Sequence, residues 1–132
     1  MASGYSATPQ LKKLGIVPGA SWDLDAAPGA WSFETTPDAA SRAASGEPAD
    51  VVVAFVRTAS ELEPAIARLE RRVFPAGALW IAWPRKAGGH VSDVSENDIR
   101  DTALARGLVD VKVAAIDQDW SGLKLVWRRE NR

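Results

Sequence analysis

The sequence predicts an α/β fold: a Rossmann-like three-layer sandwich around a mainly parallel sheet. Three observations carry this. Residues 51–56, VVVAFV, are an apolar, β-branched run without polar alternation, as in a strand covered on both faces. A helical pattern follows, with Leu62, Ile66, Leu69 and Val73 on one face. Residues 78–83, ALWIAW, then make a second apolar strand, broken off by Pro84. A strand–helix–strand unit of this length is a right-handed crossover with parallel strands.

The other elements fall in order around that unit. Residues 1–7 read as a loose arm. Thr8 looks like an N-cap, with Pro9 opening a short helix over 9–14 and Gly15 ending it. Residues 20–26 are a first, weaker strand, with Trp22 and Leu24 on one face and Asp23 and Asp25 on the other. A loop with Pro28, Gly29 and Trp31 follows. Thr36-Pro37-Asp38 reads as a helix start and Gly46 as its stop. In the central unit Ser60 and Glu63 fit a capping box, and residues 74–77 break the helix. A basic loop, 85–93, leads to a helix over 96–106, capped by Ser95 with Asp98 in its first turn and ended by Gly107. Two strands, 110–116 and 123–129, close the chain as an antiparallel pair. This makes five strands in all, in a single domain spanning 1–132.

Composition narrows the function. With 132 residues the chain is large enough to bury a core. A net charge of −1 argues against general electrostatic binding of nucleic acid. The absence of cysteine excludes thiol catalysis, disulfides and cysteine-ligated zinc. One histidine among scattered carboxylates has no metal-ligand spacing, so no metal is expected. No apolar run is long enough to span a bilayer, and residues 1–15 lack the apolar stretch of a signal peptide, so the cytoplasm is the expected compartment and no membrane partner is expected.

In sheets of this class, ligands bind beyond the carboxyl ends of the strands, where strand order reverses. The loops 25–31, 57–60 and 84–93 are therefore expected to meet, which makes Asp25, Pro28, Gly29, Arg57, Arg85, Lys86 and His90 the ligand-binding candidates. His90, near Asp93 and Lys86, reads as a general base held by a carboxylate or as a solvated loop residue. Asp23 and Asp25 read as an acid/base pair sharing one face or as a cap plus a solvated acid. Arg85, Lys86 and the glycines after them read as an anion-holding loop or a mobile basic one; the spacing of a Walker loop is absent. Of the six tryptophans, Trp80 and Trp83 are expected on opposite faces, and the loop residues Trp31 and Trp120 are the candidates for partner contact. Lys12, Lys13, Arg68, Arg71 and Arg72 read most simply as solvated helix faces.

Two resemblances sharpen the reading. DLDAAPGAW, residues 23–31, is similar to the cofactor loop of ribosomal-RNA 2′-O-methyltransferases of the FtsJ type, and the central unit looks like the fourth strand, helix and fifth strand of class I S-adenosylmethionine-dependent methyltransferases. The resemblance implies that the last strand inserts antiparallel, giving the sheet order 1-2-3-5-4. The chain also resembles, through YSATP, LKKLG, LWIAWPRK, GLVDVKV and WSGLKLVWR, a small bacterial family with no assigned function. Against the methyltransferase pattern, Asp25 stands at the first glycine, Val56-Arg57 stands where the fourth strand should end in aspartate, and Lys86 lies past the fifth strand rather than within it. The methyltransferase pattern also ends its second strand in an acid that holds the ribose hydroxyls, and the stretch between Ala26 and Asp50 is too short for the usual second and third strands with their helices. The expectation is a non-catalytic binding or adaptor protein on a reduced methyltransferase-like fold, with no cofactor and either a protein partner or a second copy as its mate. The alternatives are an S-adenosylmethionine-dependent methyltransferase completed by a partner subunit, and a phosphate- or nucleotide-binding protein.

Overall fold

The computed structural model describes residues 8–132; the arm expected at 1–7 lies outside the described residues. The elements run α1 (Gln10–Leu14), β1 (Ser21–Asp25), β2 (Ser41–Arg42), β3 (Val51–Phe55), α2 (Leu62–Leu69), β4 (Ala78–Pro84), α3 (Glu96–Ala105), β5 (Leu108–Ala115) and β6 (Trp120–Trp127). All six strands join in one sheet of order β2-β1-β3-β4-β6-β5. β1, β2, β3 and β4 are mutually parallel, and β6 runs antiparallel between β4 and β5. The order expected for five strands is present, with β2 added at the edge beside β1. Among the described residues no helix is long and apolar enough to cross a membrane.

β3 is the axis. All five of its residues are buried, and its side chains alternate between two cores. Val52 and Ala54 face α2 and α3, where Leu62, Ile66, Leu69, Leu79, Ile81, Ile99 and Leu125 close around them. Val51, Val53 and Phe55 face the other way, toward Leu14, Trp80 and Ile116. Among the described residues no α-helix longer than α1 covers that second face. Residues 27–40 lie over it instead, with Trp31 and Phe33 packed down against Phe55 and Trp22. Trp80 lies in this core and Trp83 packs against the other, so the two do face opposite sides.

Three expectations need correction. The helix read from Thr36 to Gly46 does not form. An alanine- and serine-rich stretch has no apolar stripe to bury, whereas the open edge of β1 offers backbone partners. Ser41 N–H donates to Ala20 O and Ala43 N–H to Trp22 O, making the two-residue β2. The Ser60–Glu63 capping box is also absent. The chain enters α2 through a 3-10 turn at Ala59–Glu61, so Ser60 lies inside the turn and its hydroxyl meets Thr58. Asp93 accepts from Ala59 N–H at 2.8 Å instead, and Glu61 from Arg57 N–H. At α1 the N-cap position is Pro9 rather than Thr8. By contrast Ser95 caps α3 as expected, accepting from Asp98 N–H at 3.1 Å.

Candidate functional site

From β1 the chain moves outward to β2 and then returns to the other side of β1 as β3, so strand order reverses between β1 and β3. Beyond the carboxyl ends of these two strands lies a cleft of about 390 Å³ lined by Asp25, Ala26, Val56, Arg57, Ser60 and Arg68, among others. The three expected loops do meet at this end. Arg57 Nη2–H donates to Ala26 O at 3.0 Å, and Ser92 Oγ–H donates to Arg57 O at 3.0 Å. Ala26, the hinge between β1 and its loop, has φ 57°, a left-handed conformation uncommon for a residue with a side chain.

Asp25 lies in the cleft, and its carboxylate accepts from Arg68 at 2.6 Å. Asp23, on the same face one pleat earlier, is buried and accepts from Arg72 and Arg42, both at 2.9 Å. Burial pushes the Asp23 carboxyl up, but the hydrogen bonds from Arg72, Arg42 and Leu24 N–H outweigh it and hold the group below its ordinary range. The two acids are therefore each an ion-pair partner and not an acid/base couple. Arg72 is buried and belongs to the site's frame, whereas Arg68 lies on an exposed helix face and reaches from it to Asp25. A matching interval existed in the sequence: acids two apart on a strand lie about 6.7 Å apart, and arginines four apart on a helix about 6 Å apart.

Pro28 and Gly29 form a turn in the loop after β1, closed by Trp31 N–H to Pro28 O, and neither lines the cleft. A Cβ on Gly29 would meet nothing within 4 Å, so this backbone is open to solvent. Trp31 is half-buried, and its indole N–H donates to Asp117 at 2.9 Å. Trp120 is half-buried too. Its ring meets Phe55 edge-on, and the Arg57 guanidinium lies 5.7 Å over it. The two tryptophans thus lie on either side of Phe55 in one aromatic row.

Arg85 and His90 lie against the turn at 117–119. Arg85 donates to the carbonyls of Asp117 and Gln118. His90 Nε2 lies 2.9 Å from Asp119, not beside Asp93, which is occupied at Ala59. Gly88 makes this docking close: a Cβ there would come within 2.4 Å of Gln118 O. Lys86 stays exposed. On the opposite side of the turn, Lys13 Nζ donates to Ala115 O and Gln10 Nε2 to Ile116 O. Burial lowers the Lys13 pKa, opposed by Glu34 and assisted by Lys112 and Arg85. Among the described residues, no three of His, Asp and Glu come close enough to share a metal ion.

A family model covering residues 15–129 matches the sequence: Protein of unknown function, DUF3052. This chain belongs to the DUF3052 family. No curated protein matches it. Solved structures share the fold of this DUF3052 chain at low identity. Magnesium protoporphyrin IX methyltransferase from Synechocystis PCC 6803, with bound S-adenosylmethionine, has a TM-score of 0.58 at 11% identity, covering 90% of this chain and 74% of its own. A putative type 11 methyltransferase from Sulfolobus solfataricus has 0.57 at 13%, covering 89% of each chain. A protein of the NADB-Rossmann superfamily from Streptococcus agalactiae has 0.54 at 10%, covering 96% of this chain and 71% of that one. This chain thus shares a Rossmann-like fold with solved methyltransferases.

Proposed function

We propose that this DUF3052 protein is a non-catalytic binding protein, built on a methyltransferase frame whose cofactor-holding parts have been replaced by internal ties. One observation carries the reading. Where the methyltransferase pattern ends its second strand in an acid that holds ribose hydroxyls, this chain ends the two-residue β2 in Arg42, and that guanidinium is turned back onto Asp23. The rest of the site agrees. Asp25 fills the first glycine position and is paired with Arg68. The loop after β1 is tied at Ala26 to Arg57 and at Trp31 to Asp117. The residues present therefore do not fit S-adenosylmethionine held in the usual way, and no transfer step is assigned to them. The cleft between β1 and β3, with Arg57 over Trp120 at its rim, is the binding surface this reading uses.

A second reading, a methyltransferase completed by a partner subunit, is favoured by the open backbone at Gly29 in the loop after β1. The phosphate- or nucleotide-binding reading has less support, because the Arg85 guanidinium is engaged by carbonyls of the 117–119 turn.

Thermal melting with S-adenosylmethionine, S-adenosylhomocysteine and a set of nucleotides separates these readings. A ligand at a hundred times its dissociation constant stabilises a fold by about 2.7 kcal/mol, several degrees for a domain of this size. The expected result is no shift with any of these compounds. A shift with the methionine compounds that Gly29→Leu abolishes would replace this reading with the methyltransferase one; the leucine has open space, so the fold itself is unaffected. A nucleotide shift lost in Lys86→Ala would favour the third.

A further inference from the structure

The chain carries a net charge of −1, yet its cations are not spread evenly. A group of arginines surrounds Trp127, the last residue of β6. The Arg71 guanidinium lies 5.2 Å over its ring. Arg106 pairs with Glu70, whose backbone carbonyl accepts from the Trp127 indole N–H at 2.9 Å. Arg132 Nε–H donates to Trp127 O at 2.8 Å. Arg128 and Arg129 follow the tryptophan directly. Arg128 N–H and Asn131 Nδ2–H both donate to Gly107 O, which holds this stretch against the end of α3. Phe74 stands beside the group and is exposed. Its ring is edge-on to Trp127 at 5.3 Å, with the Arg71 guanidinium 5.5 Å over it.

The nearby carboxylates are already engaged. Glu70 is taken by Arg106 and Glu130 by Arg128, and Glu63 acts on Arg106 as well. Arg71 and Arg129 are exposed, and neither has a carboxylate partner among the described residues. A guanidinium stacked on a ring is already ordered and keeps its N–H edge for a carboxylate, so less freedom is lost when a partner binds. Arginine beside aromatic side chains is the combination that protein interfaces enrich. A nucleic acid fits less well, because a molecule of net charge −1 draws no polyphosphate from a distance. A short acidic segment meets the patch alone.

We propose that this arginine-ringed end of the sheet docks an acidic polypeptide segment of a partner protein, with carboxylates on Arg71 and Arg129 and an apolar side chain against Phe74. The surface lies away from the cleft. Leu125, two residues before Trp127, pairs with Leu79 near the start of β4, whereas the cleft lies beyond the last residues of β1 and β3. The inference is therefore independent of what the cleft binds.

Fluorescence polarisation with a labelled peptide of glutamates around a central leucine tests it. The peptide is expected to bind, less tightly as sodium chloride rises from about 50 mM to about 500 mM, and a glutamine version is not. Arg129→Glu is expected to weaken binding about tenfold, and Phe74→Ala to weaken it as well. Lys112→Glu makes the same charge change on β5 and is expected to alter binding by less than about twofold. Thermal melts of each variant establish that it is folded. No binding of the glutamate peptide at low salt, an equal loss in Lys112→Glu, or tighter binding of a labelled oligothymidylate would each overturn the proposal.

Discussion

At the scale of single residues, Asp23 is the side chain on which most converges. It is the buried acid beneath the cleft, and its two oxygens are divided between Arg42, which is exposed, and Arg72, which is nearly as buried as Asp23 itself. Arg72 also donates to the carbonyls of Glu47 and Ala44, so this one guanidinium joins α2's trailing turn, β1 and the segment before β3. Asp23→Asn keeps the shape and removes the charge, and it is expected to cost about 2 kcal/mol, the range of a hydrogen bond to a charged group. The pH dependence has a definite sign. The folded-state pKa of Asp23 lies below its ordinary 3.8. Its stabilising contribution is therefore fully present above the unfolded value and lost as pH falls through the folded one. Urea melts of the two proteins should differ by a constant amount from neutral pH down to about pH 5, with a gap that begins to close only near about pH 4 and closes as pH falls through the folded pKa. A gap that instead widens with acid would mean that Asp23 is protonated in the native state.

At the scale of elements, the entry to α2 is held by residues that are distant in sequence. Asp93, in the loop after β4, accepts from Ala59 N–H, and Ser92 donates to Arg57 O, so the 84–93 loop and the start of α2 order one another. Asp93→Ala is expected to cost about 1 kcal/mol, the usual worth of a helix cap, and Ser60→Ala a few tenths. Equal losses, or a larger one at Ser60, measured by chemical denaturation, would restore the local capping box. The same logic distinguishes α3, whose cap is local. Ser95→Ala should cost as much as Asp93→Ala because both remove an acceptor for a helix's first N–H groups.

At the scale of the whole molecule, the two faces of the sheet are closed by different means. α2 and α3 cover one face with a conventional apolar core. The other is closed by α1 and an irregular segment held by rings, Trp22 to Phe33 to Trp31 to Phe55 to Trp120, each centroid about 5 Å from the next. Backbone hydrogen bonds in such a segment are few and near solvent, whereas those of β3, β4 and β6 lie between other strands. Amide exchange is expected to be slowest in β3, β4 and β6, to approach global stability there, and to be fast through residues 27–45 and β2. Protection of residues 27–45 matching that of β3 would show that the aromatic segment unfolds only with the core.

The order of five of the strands followed from the resemblance to methyltransferases, and β2 was not foreseen; the sequence by itself determined the parallel central unit, the antiparallel pair at the end, the cap at Ser95 and the meeting of three loops at one end of the sheet. Each of these depends on a local pattern: β-branched runs such as that at residues 51–56, a single hydroxyl before a helix, and crossover geometry that follows from chain handedness. It could not decide what occupies residues 27–46, because rings and a two-residue bridge leave no periodic trace. Nor could it decide that Asp23 and Asp25 are paired with Arg72 and Arg68, or that His90 answers to Asp119. Those partners lie 49, 43 and 29 residues away. Side-chain charge names a residue's chemistry, but only the packed chain brings its partner within hydrogen-bond reach, and here that decides whether a carboxylate is free to bind or already tied.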